Sequence, residues 1–349
     1  VPKVFWRRAE GSETHQVCCF QYEGLRRTVM KKVLITVTSF GNEEYSPARK
    51  LLEDHDCEMV MNVTGRNFTF EEFAEKIQDV QAVILGGERI DERILPLAKN
   101  LKLIVRHGVG YDNVDVPKAR EKGIVVANTP VPELASGVAE LGIGMLIAML
   151  RNVTELDSAL HAGTWRSKEQ HLLKGKKIGL VGFGRIAQEF ARLLGVFGVS
   201  LCACDINPDR RAAKKHNVAL TSFESVLSES DVISVHVPSN KGTFHMFNEK
   251  AFSMMKKGSY FMNTARGAIV DEKVLYKYLS NGTLMAAATD VYECEPTDPA
   301  NPLLSLKNIV CLPHIAGGTI ETAAAIGMDT ARIVVDVFEG RKPRNILLS

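Results

Sequence analysis

From Met30 onward the chain trades two rhythms of apolar and polar positions. Short apolar runs at Val33–Val37, Glu58–Asn62, Ala82–Leu85, Leu103–Val105 and Ile124–Val126 predict strands. Between them, Pro47–His55, Glu71–Gln78, Asp91–Ala98 and Val116–Lys122 carry helical spacing. Strand and helix in alternation predict a parallel sheet with crossover helices. Val131–Arg151 is apolar and too long for a strand, so it reads as a helix, followed by another over Val153–Ala162. A second alternating series then begins at Lys177. Its predicted strands are Ile178–Val181, Ser200–Cys204, Val232–Val235, Tyr260–Met262, Met285–Ala288 and Ile309–Cys311, and an alanine-rich helix over about Glu321–Glu339 ends the pattern. The fold class expected is α/β, with two doubly wound parallel-sheet lobes.

A chain of 349 residues suits two domains better than one core. Residues 1–29 have no clear period. They hold five basic and three acidic side chains, which equals the whole formal net charge of +2. We expect them to be an extraneous leader; a genuine extension and a targeting peptide are the alternatives, the latter disfavoured by the acids. The remaining body is neutral, so it offers no basic surface for nucleic acid. The charge-free run Leu141–Leu150 is half of what a membrane span needs and is expected to lie in a buried helix. Seven cysteines, an odd number without zinc-type spacing, predict no metal site and a reducing, cytoplasmic compartment.

The segment Lys177–Ala187 adds chemistry. Its Gly182-x-Gly184-x-x-Ala187 pattern follows a predicted strand and opens the helical stretch Arg185–Leu194. In such a turn the first glycine permits the bend and the second admits a pyrophosphate. The third position, here alanine, stays small where helix meets strand. Free N–H groups at the helix start face the phosphates. Asp205 closes the next strand and suits the adenosine-ribose hydroxyls, favouring NAD over NADP, while Arg210 and Arg211 could soften that preference.

Three further segments each follow a predicted strand: Asn263–Gly267, Asp290–Pro296 and Leu312–Gly318. Ligands of doubly wound sheets bind at the carboxyl ends of strands, so Arg266, Glu295 and His314 are candidates to converge there. An arginine can hold a substrate carboxylate with two parallel hydrogen bonds. A histidine can exchange the proton of a 2-hydroxyl group, and a carboxylate beside it would orient the ring. By spacing alone, Glu293 could serve in place of Glu295.

The motifs RHGVGYDNVD (106–115), GLVGFGRIA (179–187), HVP (236–238), NTARGAIVDE (263–272), DVYECEP (290–296) and LPHIAGGT (312–319) occur in this order. On them the chain resembles the D-isomer-specific 2-hydroxyacid dehydrogenases. The resemblance is nearest to members acting on 3-phosphoglycerate and covers Met30–Leu348. It implies a Rossmann NAD domain (130–318) inserted into a flavodoxin-like substrate domain (30–129 and 319–349), an active cleft between lobes, and a homodimer supported by the helix from Val131. It implies catalytic roles for Arg266, Glu295 and His314, and substrate contacts at Val109 and Gly110. It places Gly182, Gly184, Arg185, Ile186, Asp205, His236, Val237, Pro238, Thr243, Thr264, Ala265, Asp290 and Gly317 around NAD. Arg89 is a candidate for a substrate phosphate. The expected partner is a small 2-hydroxy or 2-keto acid, with no nucleic acid and no membrane. Glyoxylate or hydroxypyruvate reduction is the nearest alternative activity. An NAD-sensing, corepressor-like interaction protein is the alternative of another class.

Overall fold

The computed structural model describes residues 31–347. The leader expected over residues 1–29 lies outside that range. By compactness the chain divides into two units, one running to Val131 and resuming at Ile320, the other spanning Pro132–Thr319.

The first unit begins with β1 (Lys31–Ile35), α1 (Ser46–Asp54), β2 (Cys57–Met61), α2 (Phe70–Lys76) and β3 (Ala82–Leu85). It continues through β4 (Leu103–Arg106), α3 (Val116–Glu121) and β5 (Val125–Asn128). All neighbouring strands pair in parallel, in the order β2-β1-β3-β4-β5. This is the flavodoxin-like order. The strands are apolar almost throughout because both faces are covered. Leu34, Val83, Leu85 and Ile104 point to one core, with Phe68, Phe73 and Ile77. Val33, Ile35, Ile84 and Val105 alternate to the other, with Phe40, Tyr45 and Leu52.

The second unit opens with α4 (Pro132–Arg151) and α5 (Val153–His161). Then follow β6 (Lys177–Val181), α6 (Arg185–Leu194), β7 (Ser200–Cys204), α7 (Arg210–Lys215), β8 (Val218–Leu220), α8 (Phe223–Glu229) and β9 (Val232–Val235). The unit ends with α9 (Glu249–Ser253), β10 (Ser259–Asn263), α10 (Glu272–Ser280), β11 (Leu284–Thr289) and β12 (Ile309–Cys311). The parallel sheet runs β12-β11-β10-β9-β6-β7-β8, the Rossmann order extended by one strand. Its order reverses between β6 and β9, which marks the switch point. Ile178, Leu180 and Ala203 face α4 and α6, while Val181, Ile233, Val235 and Phe261 face Phe247, Phe252 and Leu275. The chain then returns to the first unit through α11 (Ile320–Phe338), whose Val334 and Val335 join the core of Val33 and Ile35.

Two places depart from the sequence reading. Asp91–Ala98 forms consecutive turns rather than a helix. Pro96 lacks an N–H and cannot continue an i→i−4 ladder. The bonds present are local, such as Leu95 N–H to Asp91 O and Leu97 N–H to Ile94 O. The edge strand β8 is the other departure; its three residues are too few to establish a period. The helix α4 is long and apolar enough by composition to span a bilayer, yet half of its apolar window is buried, and it packs on α6, β11 and β12.

Candidate active site

Every motif singled out in the second unit sits at the carboxyl end of a strand of its sheet. The Gly182–Gly184 turn follows β6 and Asp205 follows β7. His236–Pro238 follow β9, Thr264–Arg266 follow β10, Asp290 follows β11 and His314 follows β12.

The turn after β6 fits a dinucleotide. Gly182 has φ +93°, and a Cβ there would stand 2.8 Å from the His236 carbonyl carbon and 2.9 Å from Val237 Cγ1. Only glycine lets the two loops close on each other at the switch point. Gly184 faces open space and caps α6 without a side-chain hydrogen bond. The first turn of α6, with Arg185 and Ile186, therefore presents its N–H groups outward, as an anion site requires. Ala187 is fully buried, so its small size serves the packing of helix on strand. Asp205, the expected ribose partner, is engaged by backbone. Its Oδ2 accepts the Phe183 N–H at 2.7 Å and its Oδ1 the Asn207 N–H at 2.7 Å, which ties the glycine turn to the end of β7.

The loop after β9 is held internally. Thr243 Oγ1 donates to Pro238 O at 2.7 Å and accepts the Asn240 N–H at 2.9 Å. His236 pairs through Nε2 with Ser234 Oγ at 2.8 Å, and burial pulls its pKa down to about 4, so the ring is neutral. After β10, Asn263 holds the turn: its Nδ2 donates to Arg266 O at 2.9 Å and its Oδ1 accepts the Ala265 N–H at 3.0 Å. Thr264 is buried beside it.

The histidine and the glutamate meet. His314 Nδ1 lies 2.5 Å from Glu295 Oε2, and Glu295 Oε1 accepts the Tyr292 N–H at 2.9 Å. Burial raises the Glu295 pKa. The His314 hydrogen bond and charge, the Tyr292 N–H and the Arg266 charge more than offset this, and the carboxyl stays below its ordinary range. Arg266 is thus close enough to act on Glu295, and its Nη1 donates to Ala265 O at 2.7 Å. Glu293 is excluded as the partner of His314: its Oε1 accepts the Glu272 N–H at 2.9 Å and lies 3.2 Å from His245 Nε2.

His314 adopts φ +55°, a left-handed conformation that a β-substituted residue takes at a cost of about 1–3 kcal/mol. Asp290 maintains it. The Asp290 carbonyl accepts the His314 N–H at 2.7 Å, Oδ1 accepts Ile315 N–H at 2.8 Å, and Oδ2 accepts Ala316 N–H at 2.8 Å. Asp290 is fully buried, and burial raises its pKa against these bonds. Its side chain is committed to the turn that aims the imidazole. Gly317 follows, in van der Waals reach of Leu134 of α4.

The remaining candidates lie in the first unit. Arg89 is exposed in the loop after β3, and Val109 and Gly110 lie in the loop after β4. The Val109 carbonyl accepts Asn128 Nδ2 at 2.8 Å. Sequence reasoning gives no role to Asn263, Tyr292 or Glu272. Asn263 and Glu272 bound the NTARGAIVDE motif and Tyr292 sits in DVYECEP; Asn263 and Tyr292 act within their own turns, while Glu272 reaches residues 293 and 301.

A Rossmann unit with a glycine turn, a strand-end aspartate and an arginine–glutamate–histidine set at the same sheet edge defines an NAD-linked oxidoreductase. Residues 143–316 match the sequence profile of the D-isomer specific 2-hydroxyacid dehydrogenase NAD binding domain. The glyoxylate reductase of Thermofilum pendens is 38% identical over 283 residues, 78% of this chain and 83% of that protein. The D-3-phosphoglycerate dehydrogenase of Archaeoglobus fulgidus is 38% identical over 278 residues, 79% of this chain but 53% of that protein. The crystal structure of a glyoxylate reductase from Paecilomyes thermophila superposes with a TM-score of 0.81 at 28% identity, covering 91% of this chain and 98% of that one. The chain belongs to the D-isomer-specific 2-hydroxyacid dehydrogenase family, and its cofactor is NAD.

Proposed function

We propose that the protein reduces a small unphosphorylated 2-keto acid, of the glyoxylate or hydroxypyruvate class, to the 2-hydroxy acid. One observation carries this reading: the His314–Glu295 hydrogen bond stands at the strand ends with Arg266 beside it. Arg266 holds the substrate carboxylate through its planar guanidinium. Glu295 occupies Nδ1 of His314, so Nε2 is the ring nitrogen left for the substrate. That nitrogen donates a proton to the carbonyl oxygen as the alkoxide forms, and Glu295 stabilises the ring while it is charged. NADH, when bound, supplies the hydride. The Gly182–Gly184 turn and the first turn of α6 would hold it, together with Asp205 at the adenosine ribose and His236–Pro238, Thr243, Thr264, Ala265 and Gly317. Val109 and Gly110 are proposed as further substrate-binding residues, and residues 30–129 with 319–349 as the substrate domain.

Phosphoglycerate oxidation is the second reading, and exposed Arg89 favours it. Against it, the neighbouring cations are already committed, Arg93 to Asp91 at 2.9 Å and Lys118 to Glu92 at 2.7 Å. A dianionic phosphate there would have to compete with those carboxylates for any cation beyond Arg89. The protein is also proposed to work as a homodimer. Helix α5 buries none of its residues, and Val153, Leu160, Trp165 and Leu172 around it are exposed. A groove of about 540 Å³ runs along α5, lined by Thr154, Ser158, Arg166 and Leu304. The described cysteines are all free thiols, which agrees with the reducing cytoplasm proposed as its compartment.

The test is kcat/KM for glyoxylate, hydroxypyruvate and 3-phosphohydroxypyruvate with NADH and with NADPH. Preference for the phosphorylated acid, lost in Arg89→Ala, would install the second reading. NADH binding without turnover of any 2-keto acid would favour an NAD-sensing interaction protein.

A further inference from the structure

The loop that carries Glu295 is fastened at both ends by one side chain. Glu272, the first residue of α10, accepts the Glu293 N–H on Oε1 at 2.6 Å and Asn301 Nδ2 on Oε2 at 2.7 Å. Glu293 returns the bond, accepting the Glu272 N–H on Oε1 at 2.9 Å. Asn301 is itself fixed, since its Oδ1 accepts the Leu303 N–H at 3.0 Å and its Nδ2 also reaches Thr297 Oγ1 at 3.1 Å. One carboxylate thus spans residues 293–301, with Glu295 between its two anchor points. Asp271 caps α10 beneath it by accepting from the Lys273 and Val274 N–H groups.

The same loop is pressed against the one that carries Arg266. A Cβ on Gly267 would collide with the Tyr292 carbonyl group and the Glu293 nitrogen. The two backbones therefore touch, and the Glu272–Glu293 bonds lie beside that contact. Packing under the clamp leaves a void of about 10 Å³ bounded by Gly267, Glu272, Thr289 and Val291. That is room for one water at most, which argues for a positioning device over a ligand site. His245 lies 3.2 Å from Glu293 Oε1 through Nε2 and 3.9 Å from Asp271 Oδ2 through Nδ1, without hydrogen-bond alignment at Nε2.

We propose that Glu272 is a positioning residue, which sets the His314–Glu295 contact by clamping the Glu295 loop against the Arg266 loop. Its two bonds are to a charged acceptor, the stronger class of protein hydrogen bond. Without them residues 293–301 keep Glu295 covalently but lose the register that brings Oε2 to Nδ1. The consequence for turnover rests on the functional reading above; the geometric claim does not.

The test uses the full-length protein and three variants: Glu272→Ala, Glu272→Gln, and Glu272→Gln with Asn301→Asp. In the double variant the amide and carboxylate change places. The amide at position 272 would accept from the Glu293 N–H and donate to the carboxylate at position 301, which still accepts from the Leu303 N–H. Ring N–H signals are followed by proton–nitrogen NMR, with His314→Gln identifying the His314 Nδ1 proton, and kcat is measured on the best 2-keto acid. The expected result is loss or displacement of that signal in Glu272→Ala, with kcat lower by about tenfold or more. The NADH dissociation constant should stay within about twofold, because the glycine turn is untouched. Glu272→Gln should fall between, and the double variant should recover both signal and kcat. If Glu272→Ala is too unstable to study, Glu272→Gln and the exchanged pair carry the comparison. An unmoved Nδ1 signal in Glu272→Gln or Glu272→Ala, or no recovery in the double variant, overturns the clamp. An altered signal in a protein that turns over no 2-keto acid would uphold the clamp and count against the functional reading alone.

Discussion

Glu295→Gln tests what the carboxylate charge does for His314. The side chain keeps its length and the amide oxygen can still accept from Nδ1, but the amide nitrogen cannot accept the Tyr292 N–H, which loses its acceptor. What His314 loses is a charge-assisted bond at 2.5 Å, on an acid that solvent reaches. Hydrogen bonds to a charged group contribute about 1.5–3 kcal/mol, against about 0.5–1.5 for neutral pairs. The difference, about 1–2 kcal/mol, falls on the step in which the ring carries its charge, so kcat/KM should drop by about five- to thirtyfold. The assay is absorbance of NADH, in both directions, with the NADH dissociation constant measured separately. A variant within twofold of the parent would refute the reasoning that Glu295 acts through the charge of His314.

Asp205→Ala should narrow the preference for NAD over NADP, as removal of a ribose acceptor predicts, and should also weaken NADH itself. The Phe183 and Asn207 N–H groups lose their acceptor together. An unchanged ratio of NADH to NADPH dissociation constants would contradict the ribose assignment. Stability should fall in mild acid. Burial lowers the pKa of His236 to about 4 and that of His107 to about 3, the latter helped by the Arg106 charge. The unfolded chain binds these protons first, so their contribution is complete above pH about 6.5 and is lost as the pH falls toward the folded values. At pH about 5.5 each ring costs on the order of 1 kcal/mol, and denaturant titrations of His236→Gln should show a shallower decline with pH. Glu295, whose pKa is depressed, adds a loss of the same sign at lower pH, as it becomes protonated. Trp165→Glu, at a side chain 91% exposed, should shift a dimer toward monomer in sedimentation; unchanged mass would mean that α5 is not the seam.

The sequence is most informative where one residue type has one use. The strands of both sheets are continuous apolar runs, and Ser200–Cys204 and Val232–Val235 have the bounds expected. The Gly182–Ala187 turn is legible because a left-handed glycine before a helix serves few purposes. The helix expected over Asp91–Ala98 fails on one residue, Pro96, which periodicity does not weigh. Spacing alone does not choose between Glu293 and Glu295. The two are two residues apart on one loop, and only the partner each meets, Glu272 or His314, separates them. Asp290 reads in the sequence as a residue near the nicotinamide. In the structure its oxygens hold Ile315 and Ala316, a use that depends on how two distant strand ends meet.

His314→Ala tests the central claim most directly, with NADH binding measured by fluorescence and turnover by absorbance on the same preparation. The account predicts that kcat falls by about a hundredfold or more while the NADH dissociation constant stays within about twofold, because no bond of the glycine turn involves that ring. Turnover that persists, or cofactor affinity that falls in parallel with it, would contradict the role of this imidazole as the proton donor.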